Sequence, residues 1–219
     1  MPCHREALKS NVNEGPLRLV VLGDSLAHGT GATRPADTLG ARMSRVLERA
    51  GHTVQVNVVA VPGATSLQLA GQVHQAVALD PDIALVVVGA NDLARSVPPA
   101  WSAAALASAV RTLHAAGAAV VVAPAPDLSC VPGVPAALRP ALHVACEELQ
   151  RRQAGSAEAA GAVVAPIAGQ LADAFASEPE LFSDDRFHPS SAGYARIAAA
   201  LAPHVVAAAR EADLRRAAA

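Results

Sequence analysis

Five short apolar runs, rich in β-branched residues and spaced by longer alanine- and leucine-rich stretches, constrain this chain more than anything else in it. They fall at residues 17–22, 54–60, 83–88, 118–123 and 162–167. Most are apolar throughout, as strands buried on both faces are; the second is mixed, as an edge strand is. Stretches of helical character lie at 38–50, 66–78, 99–116, 135–154 and 191–209. Gly51, Gly117 and Gly155 stand just past three of them, where a left-handed residue closes a helix, and Pro81 follows the second as a stop. This alternation predicts an α/β fold: a parallel five-stranded sheet with helices on both faces, three-layered and flavodoxin-like. One such domain at 16–210 accounts for most of the 219 residues, leaving a flexible N-terminal extension at 1–15 and a C-terminal tail at 211–219.

Composition narrows the function classes. The formal net charge is −2 and no strong basic run occurs before the Arg215-Arg216 pair, so no electrostatic footprint for nucleic acid is present. The longest apolar runs are strand-sized, far below the ~20 residues of a membrane span. The polar first residues lack the apolar core of a secretory signal, which leads to the expectation of a cytoplasmic protein. Cys3, Cys130 and Cys146 have no metal-ligand spacing, and free thiols are expected, with a bridge between Cys130 and Cys146 left open. The expected partner is a small molecule, and oligomeric state is unassigned.

In an open parallel sheet the ligand crevice forms beyond the carboxyl ends of the strands, so chemistry belongs in the loops that follow them. Those loops contain Gly23-Asp24-Ser25-Leu26, Val61-Pro62-Gly63-Ala64, Gly89-Ala90-Asn91-Asp92 and Pro124-Ala125-Pro126-Asp127. Ser25 stands where a turn into a helix would lift its hydroxyl to the rim of the sheet. A serine hydroxyl is a weak nucleophile and needs a base, with a third group to orient that base. Near the far end, Ser183-Asp184-Asp185-Arg186-Phe187-His188-Pro189 supplies a histidine and two competing acids, and the spacing of three residues favours Asp185 over Asp184.

These blocks, in this order, resemble those of the SGNH (GDSL) hydrolases: Gly23-Asp24-Ser25-Leu26, then Gly63, then Gly89-Ala90-Asn91-Asp92, then Asp185-Arg186-Phe187-His188-Pro189. The match spans Gly23 to Tyr194. The resemblance implies Ser25 as nucleophile, His188 as base and Asp185 as its orienting acid. It also implies an oxyanion hole from the Ser25 and Gly63 backbone amides and the Asn91 side chain. Asp24, Leu26, His28 and Asp92 are expected to support the site or line its pocket. The implied activity is hydrolysis of an ester or thioester of a small or medium acyl group, with no cofactor and no metal.

Two rivals share these residues: an acyltransferase with the same triad, and a non-catalytic binding domain on the same fold. Gly29-Thr30-Gly31-Ala32-Thr33 superficially resembles a dinucleotide loop but lacks the third glycine and does not open a helix. Aromatic residues are only 2% of the chain, so few rings could stack on a sugar, and this favours an ordinary acyl ester.

Overall fold

A computed structural model of the chain describes residues 15–218. The elements, in chain order, are β1 (Leu17–Gly23), α1 (Ser25–His28), α2 (Leu39–Arg49), β2 (Val54–Val58), α3 (Leu69–Val77), β3 (Ile83–Val87), α4 (Ala90–Ala94), α5 (Pro99–Ala115), β4 (Ala119–Ala123), α6 (Arg139–Ala159), β5 (Val163–Val164), α7 (Ile167–Ser177) and α8 (Ser191–Ala218). The strands form one parallel sheet in the order β2-β1-β3-β4-β5. The expected three-layer α/β architecture is present.

Strand side chains alternate between faces, and the two cores divide on that period of two. Leu19 and Val21 of β1, Ile83 and Leu85 of β3, and Val121 of β4 meet α2 and α8 through Leu39, Met43, Ile197, Leu201 and Val205. Their neighbours Val20, Leu22, Ala84, Val86, Val120 and Val122 meet α3, α5 and α6 through Leu69, Val73, Leu106, Val110 and Ala157. The central strands are therefore buried on both sides. β2 stays partly exposed, with the mixed composition of an edge.

Several boundaries differ from the sequence reading. The fifth strand is only two residues long, because Ile167 leaves the sheet to open α7, a helix that the sequence reading missed. Gly155 does not end a helix: α6 continues through it to Ala159, and the left-handed stop is Gly161, at φ +96°. A buried stripe of Cys146, Leu149, Gln153 and Ala157 runs along α6 and outweighs the ~1 kcal/mol cost of an interior glycine. The last helix runs past residue 209 to Ala218. Arg216 there donates to Asp82 and to the Gly15 and Pro16 carbonyls, while Arg215 donates to the Gly117 carbonyl. By length and composition α8 could cross a bilayer, but 44% of its most apolar stretch is buried, and Ile197, Leu201 and Val205 pack in the core against the sheet. Residues 1–14 of the expected extension lie outside the described residues.

The start of α8 is what brings the two ends of the domain together. Tyr194, fully buried, donates from its hydroxyl to the Thr30 carbonyl at 2.8 Å. Ser191 accepts from the Thr33 amide through its hydroxyl and from Arg42 through its carbonyl. The segment before α8 is thereby held over the carboxyl end of β1.

Candidate active site

The turn that carries Ser25, the expected nucleophile, begins at Gly23, where φ is +134° and a Cβ would lie 1.8 Å from the Val87 carbonyl oxygen. No other residue fits that approach. Gln72 clamps the same glycine, its Oε1 accepting from the Gly23 amide at 2.7 Å and its Nε2 donating to the carbonyl at 2.9 Å. Asp24 then caps α1: its carboxylate accepts from the Leu26 amide at 3.0 Å and the Gly89 amide at 3.3 Å. Burial pushes the Asp24 pKa up to about 6 against those bonds, and nearby Asp92 adds to the rise. Ser25 is the first residue of α1, so its amide has no partner within the helix. Its hydroxyl has no hydrogen-bond partner among the described residues.

His188, the expected base, is presented by a closed loop. Phe182 and Pro189 form an antiparallel bridge, the Ser183 amide donates to the His188 carbonyl, and the Ser190 amide donates to the Leu181 carbonyl. Between them the chain reverses through Arg186, a non-glycine residue at φ +55°. Asp185, itself partly in solvent, gathers the donors of this turn. Its Oδ1 accepts from the Ser183 hydroxyl and the Phe187 and His188 amides at 2.8–2.9 Å, and its Oδ2 accepts from His188 Nδ1 at 2.6 Å. Burial alone would raise the Asp185 pKa, but the His188 ring and these donors outweigh it and hold the carboxyl well below the usual range. An ionised carboxylate only accepts, so Nδ1 carries the hydrogen and Nε2 is left to take a proton. Asp184, the competing acid, is exposed and has no hydrogen-bond partner among the described residues.

The loops after β2 and β3 flank the nucleophile turn because the sheet order places β1 between those two strands. Gly63 sits at φ +82°, half-buried. Asn91, second in α4, donates one amide hydrogen to the Ala64 carbonyl at 3.1 Å and keeps the other. Asp92 is fully buried and accepts from the Ser66 amide at 2.9 Å, stitching the Gly63 loop to α4. The Ser25 and Gly63 amides and the Asn91 side chain thus lie on three adjacent loops at the carboxyl end of the sheet.

A cavity of about 90 Å³ opens beside Ser25 and His188. Leu26 lines it, as do Pro124, Leu128, Cys130 and Val131 of the loop after β4, and Leu171, Ala172 and Phe175 of α7. His28 departs from expectation: it is exposed at the far end of α1 and does not line the cavity, because Gly29 turns the chain outward there. Cys130 and Cys146 are unbridged, and burial, reinforced by Asp127, pushes both thiols up to about 11. Asp127 pairs with His143 at 2.6 Å, but that ring is half-exposed on α6, away from the cavity lining. Among the described residues no group of His, Cys, Asp or Glu is gathered as metal ligands.

Sequence reasoning overlooked three supports. Gly31, set aside with its false dinucleotide loop, lies at φ +92° with its α-carbon against the base loop. Gln72 and Gln153 are buried clamps. Gln153 accepts from the Ala125 amide at 2.8 Å and donates to Ser102 at 3.2 Å and the Val88 carbonyl at 3.3 Å. The available signal was a polar residue on an apolar helix stripe: Gln72 between Leu69 and Ala76, Gln153 between Leu149 and Ala157.

Comparison with known proteins places the chain in a family. Residues 21–196 match the GDSL-like Lipase/Acylhydrolase family. The chain is 38% identical over 183 residues to the GDSL-like esterase Rv1075c of Mycobacterium tuberculosis, covering 82% of this chain and 58% of that protein. It therefore spans little more than half the length of that relative. Among solved structures it is similar to TesA, with a TM-score of 0.67 and 23% identity over 85% of this chain and 97% of that one. A variant of Axe2, an acetyl-xylooligosaccharide esterase from Geobacillus stearothermophilus, has a TM-score of 0.71 and 18% identity over 89% and 95% of the two chains. At these identities the solved structures share the fold.

Proposed function

This chain belongs to the GDSL-like lipase/acylhydrolase family, and from that membership and the geometry of its site we propose that it is a serine ester hydrolase acting through an acyl-enzyme on Ser25. The observation that carries the reading is the wall shared by Ser25 and His188, with His188 held at 2.6 Å by an Asp185 carboxylate that four donors keep ionised.

In the proposed reaction His188 Nε2 takes the Ser25 proton as Oγ bonds to the acyl carbon, forming a tetrahedral oxyanion. The Ser25 and Gly63 amides and the Asn91 side chain receive that charge. Collapse breaks the bond to the alcohol or thiol, which leaves with the proton from His188. Water, deprotonated by the same base, then attacks the acyl-enzyme, and the acid departs as Ser25 regains its proton. Ser25 and His188 are not hydrogen-bonded to each other in this structure, and such bonds commonly tighten when substrate arrives.

Replacing Ser25 with alanine tests the reading directly. Turnover of p-nitrophenyl butanoate is expected to fall to near background with an unchanged thermal melt, and a fluorophosphonate is expected to label the unmodified protein but not the variant. Activity or labelling retained by Ser25→Ala would place the nucleophile elsewhere.

A further inference from the structure

We infer that α7 is the acyl-length gauge of this site, and that Phe175 sets how long an acyl chain the enzyme accepts. The inference rests on the ester-hydrolase reading and adds the substrate class: linear hydrocarbon acyl groups of about four to eight carbons.

Three observations carry it. First, the cavity that adjoins Ser25 and His188 has a wall made by Leu171, Ala172 and Phe175 of α7, so this helix bounds the space next to the reacting carbon. Second, the Phe175 ring is fixed. It packs edge-on to Phe182, with centroids 5.2 Å apart and planes at 81°, and Phe182 is buried and bridged to Pro189 in the loop that carries His188. A ring held this way is a boundary rather than a mobile flap. Third, the carboxylates on the cavity wall are already engaged. Asp24 accepts from Leu26 and Gly89, and Asp127 accepts from Ser129 and pairs with His143. A sugar hydroxyl or charged head group entering here would exchange its hydration for a wall made mostly of Leu, Val, Ala, Pro and Phe side chains, whereas a hydrocarbon chain loses nothing.

The size of the space sets the scale. A cavity of about 90 Å³ has room for a short run of methylene groups and not for a long fatty chain. The same lining could take the leaving alcohol instead, and the test separates the two.

The experiment measures kcat/KM for p-nitrophenyl esters from acetyl to hexadecanoyl, and for butanoyl esters of alcohols of increasing length, in the unmodified protein, Phe175→Ala and Ala172→Phe. A maximum at about four to eight acyl carbons is expected, with little dependence on alcohol length. Each methylene buried is worth about fourfold in kcat/KM. Phe175→Ala, which opens the wall, is expected to raise the dodecanoyl-to-butanoyl ratio at least fifteenfold, and Ala172→Phe to lower the octanoyl-to-acetyl ratio by a similar factor. Opposite shifts from two variants exclude a general loss of fold. Superimposable acyl-length profiles in all three proteins, or shifts that follow the alcohol series, would overturn the gauge while leaving the hydrolase reading intact. A wild-type protein that turns over no ester and binds no fluorophosphonate would overturn both.

Discussion

Gly31→Ala probes how tightly the chain's two halves are fitted at the site. A Cβ at residue 31 would sit 2.5 Å from the Pro189 carbonyl oxygen, 2.9 Å from the His188 Cβ and 3.0 Å from the Ser183 hydroxyl. The nearest contact is backbone, in a loop already closed by the Phe182–Pro189 bridge, so it cannot rotate aside. Reaching even 3.0 Å requires a movement of about 0.5 Å, and an ordinary contact nearly twice that. The residue also sits at φ +92°, which costs a side chain about 1–2 kcal/mol. Misplacing a catalytic group by about 1 Å costs on the order of 100-fold, so kcat on p-nitrophenyl butanoate is expected to fall about 10- to 100-fold. The control is Gly51→Ala. Gly51 has a similar φ, +97°, with nothing within 4 Å of a Cβ, and lies outside the site. It pays the backbone strain alone and should lower Tm by roughly 2–8 °C with kcat within twofold of wild type. Steady-state kinetics at 25 °C, fluorophosphonate labelling rates and thermal melts on the three proteins decide the matter. If Gly31→Ala keeps kcat within threefold, or if Gly51→Ala loses as much, the argument that Gly31 positions the base loop is wrong.

Three further outcomes follow from the geometry. Asp185→Asn is expected to cut kcat by about 10²–10⁴ through loss of the ring's tautomer and orientation, while Asp184→Asn stays within twofold; equal effects in steady-state assays would contradict the assignment. Gln153→Leu leaves the buried Ala125 amide and Val88 carbonyl without their partner, at about 1–3 kcal/mol for each group, so a calorimetric Tm lower by roughly 4–24 °C is expected and a change under 2 °C would refute the clamp. Asp24 titrates near 6 in the fold against 3.8 in an open chain, so the folded state holds the extra proton between those values and stability falls as pH rises through them. Relative to Asp24→Asn, the unmodified protein should lose up to about 3 kcal/mol between pH 4 and pH 7 in urea unfolding; a constant difference would show that the carboxyl is not desolvated as described.

Much of this site was legible because its parts are local. Gly23-Asp24-Ser25 is a turn whose chemistry is written in three residues, and Asp185 lies within one turn of His188. The buried strands announce themselves as unbroken apolar runs. α7 escaped because Val163 to Ile167 reads as one run, although Ile167, Leu171 and Phe175 recur at helical spacing behind Pro166. Gly31 escaped because its role is a contact with residues more than 150 positions away, which no local pattern records.

The sequence by itself determined the strands to within a few residues at their ends and the two-sided burial of the sheet, and it singled out Ser25, His188 and Asp185 as candidates, because periods of two and 3.6 and the chemistry of side chains are properties of neighbouring residues. The tertiary structure decided the rest. Only the order β2-β1-β3 sets the Gly63 and Asn91 loops on either side of Ser25, and only the docking of α8 on the Thr30 and Thr33 loop holds His188 over the end of β1. Only the fold set Asp185 rather than Asp184 on the His188 ring, left His28 in solvent, and closed the cavity with α7. These are distances between segments remote in the chain, settled by how the helices cross over the sheet and bury their apolar faces on it.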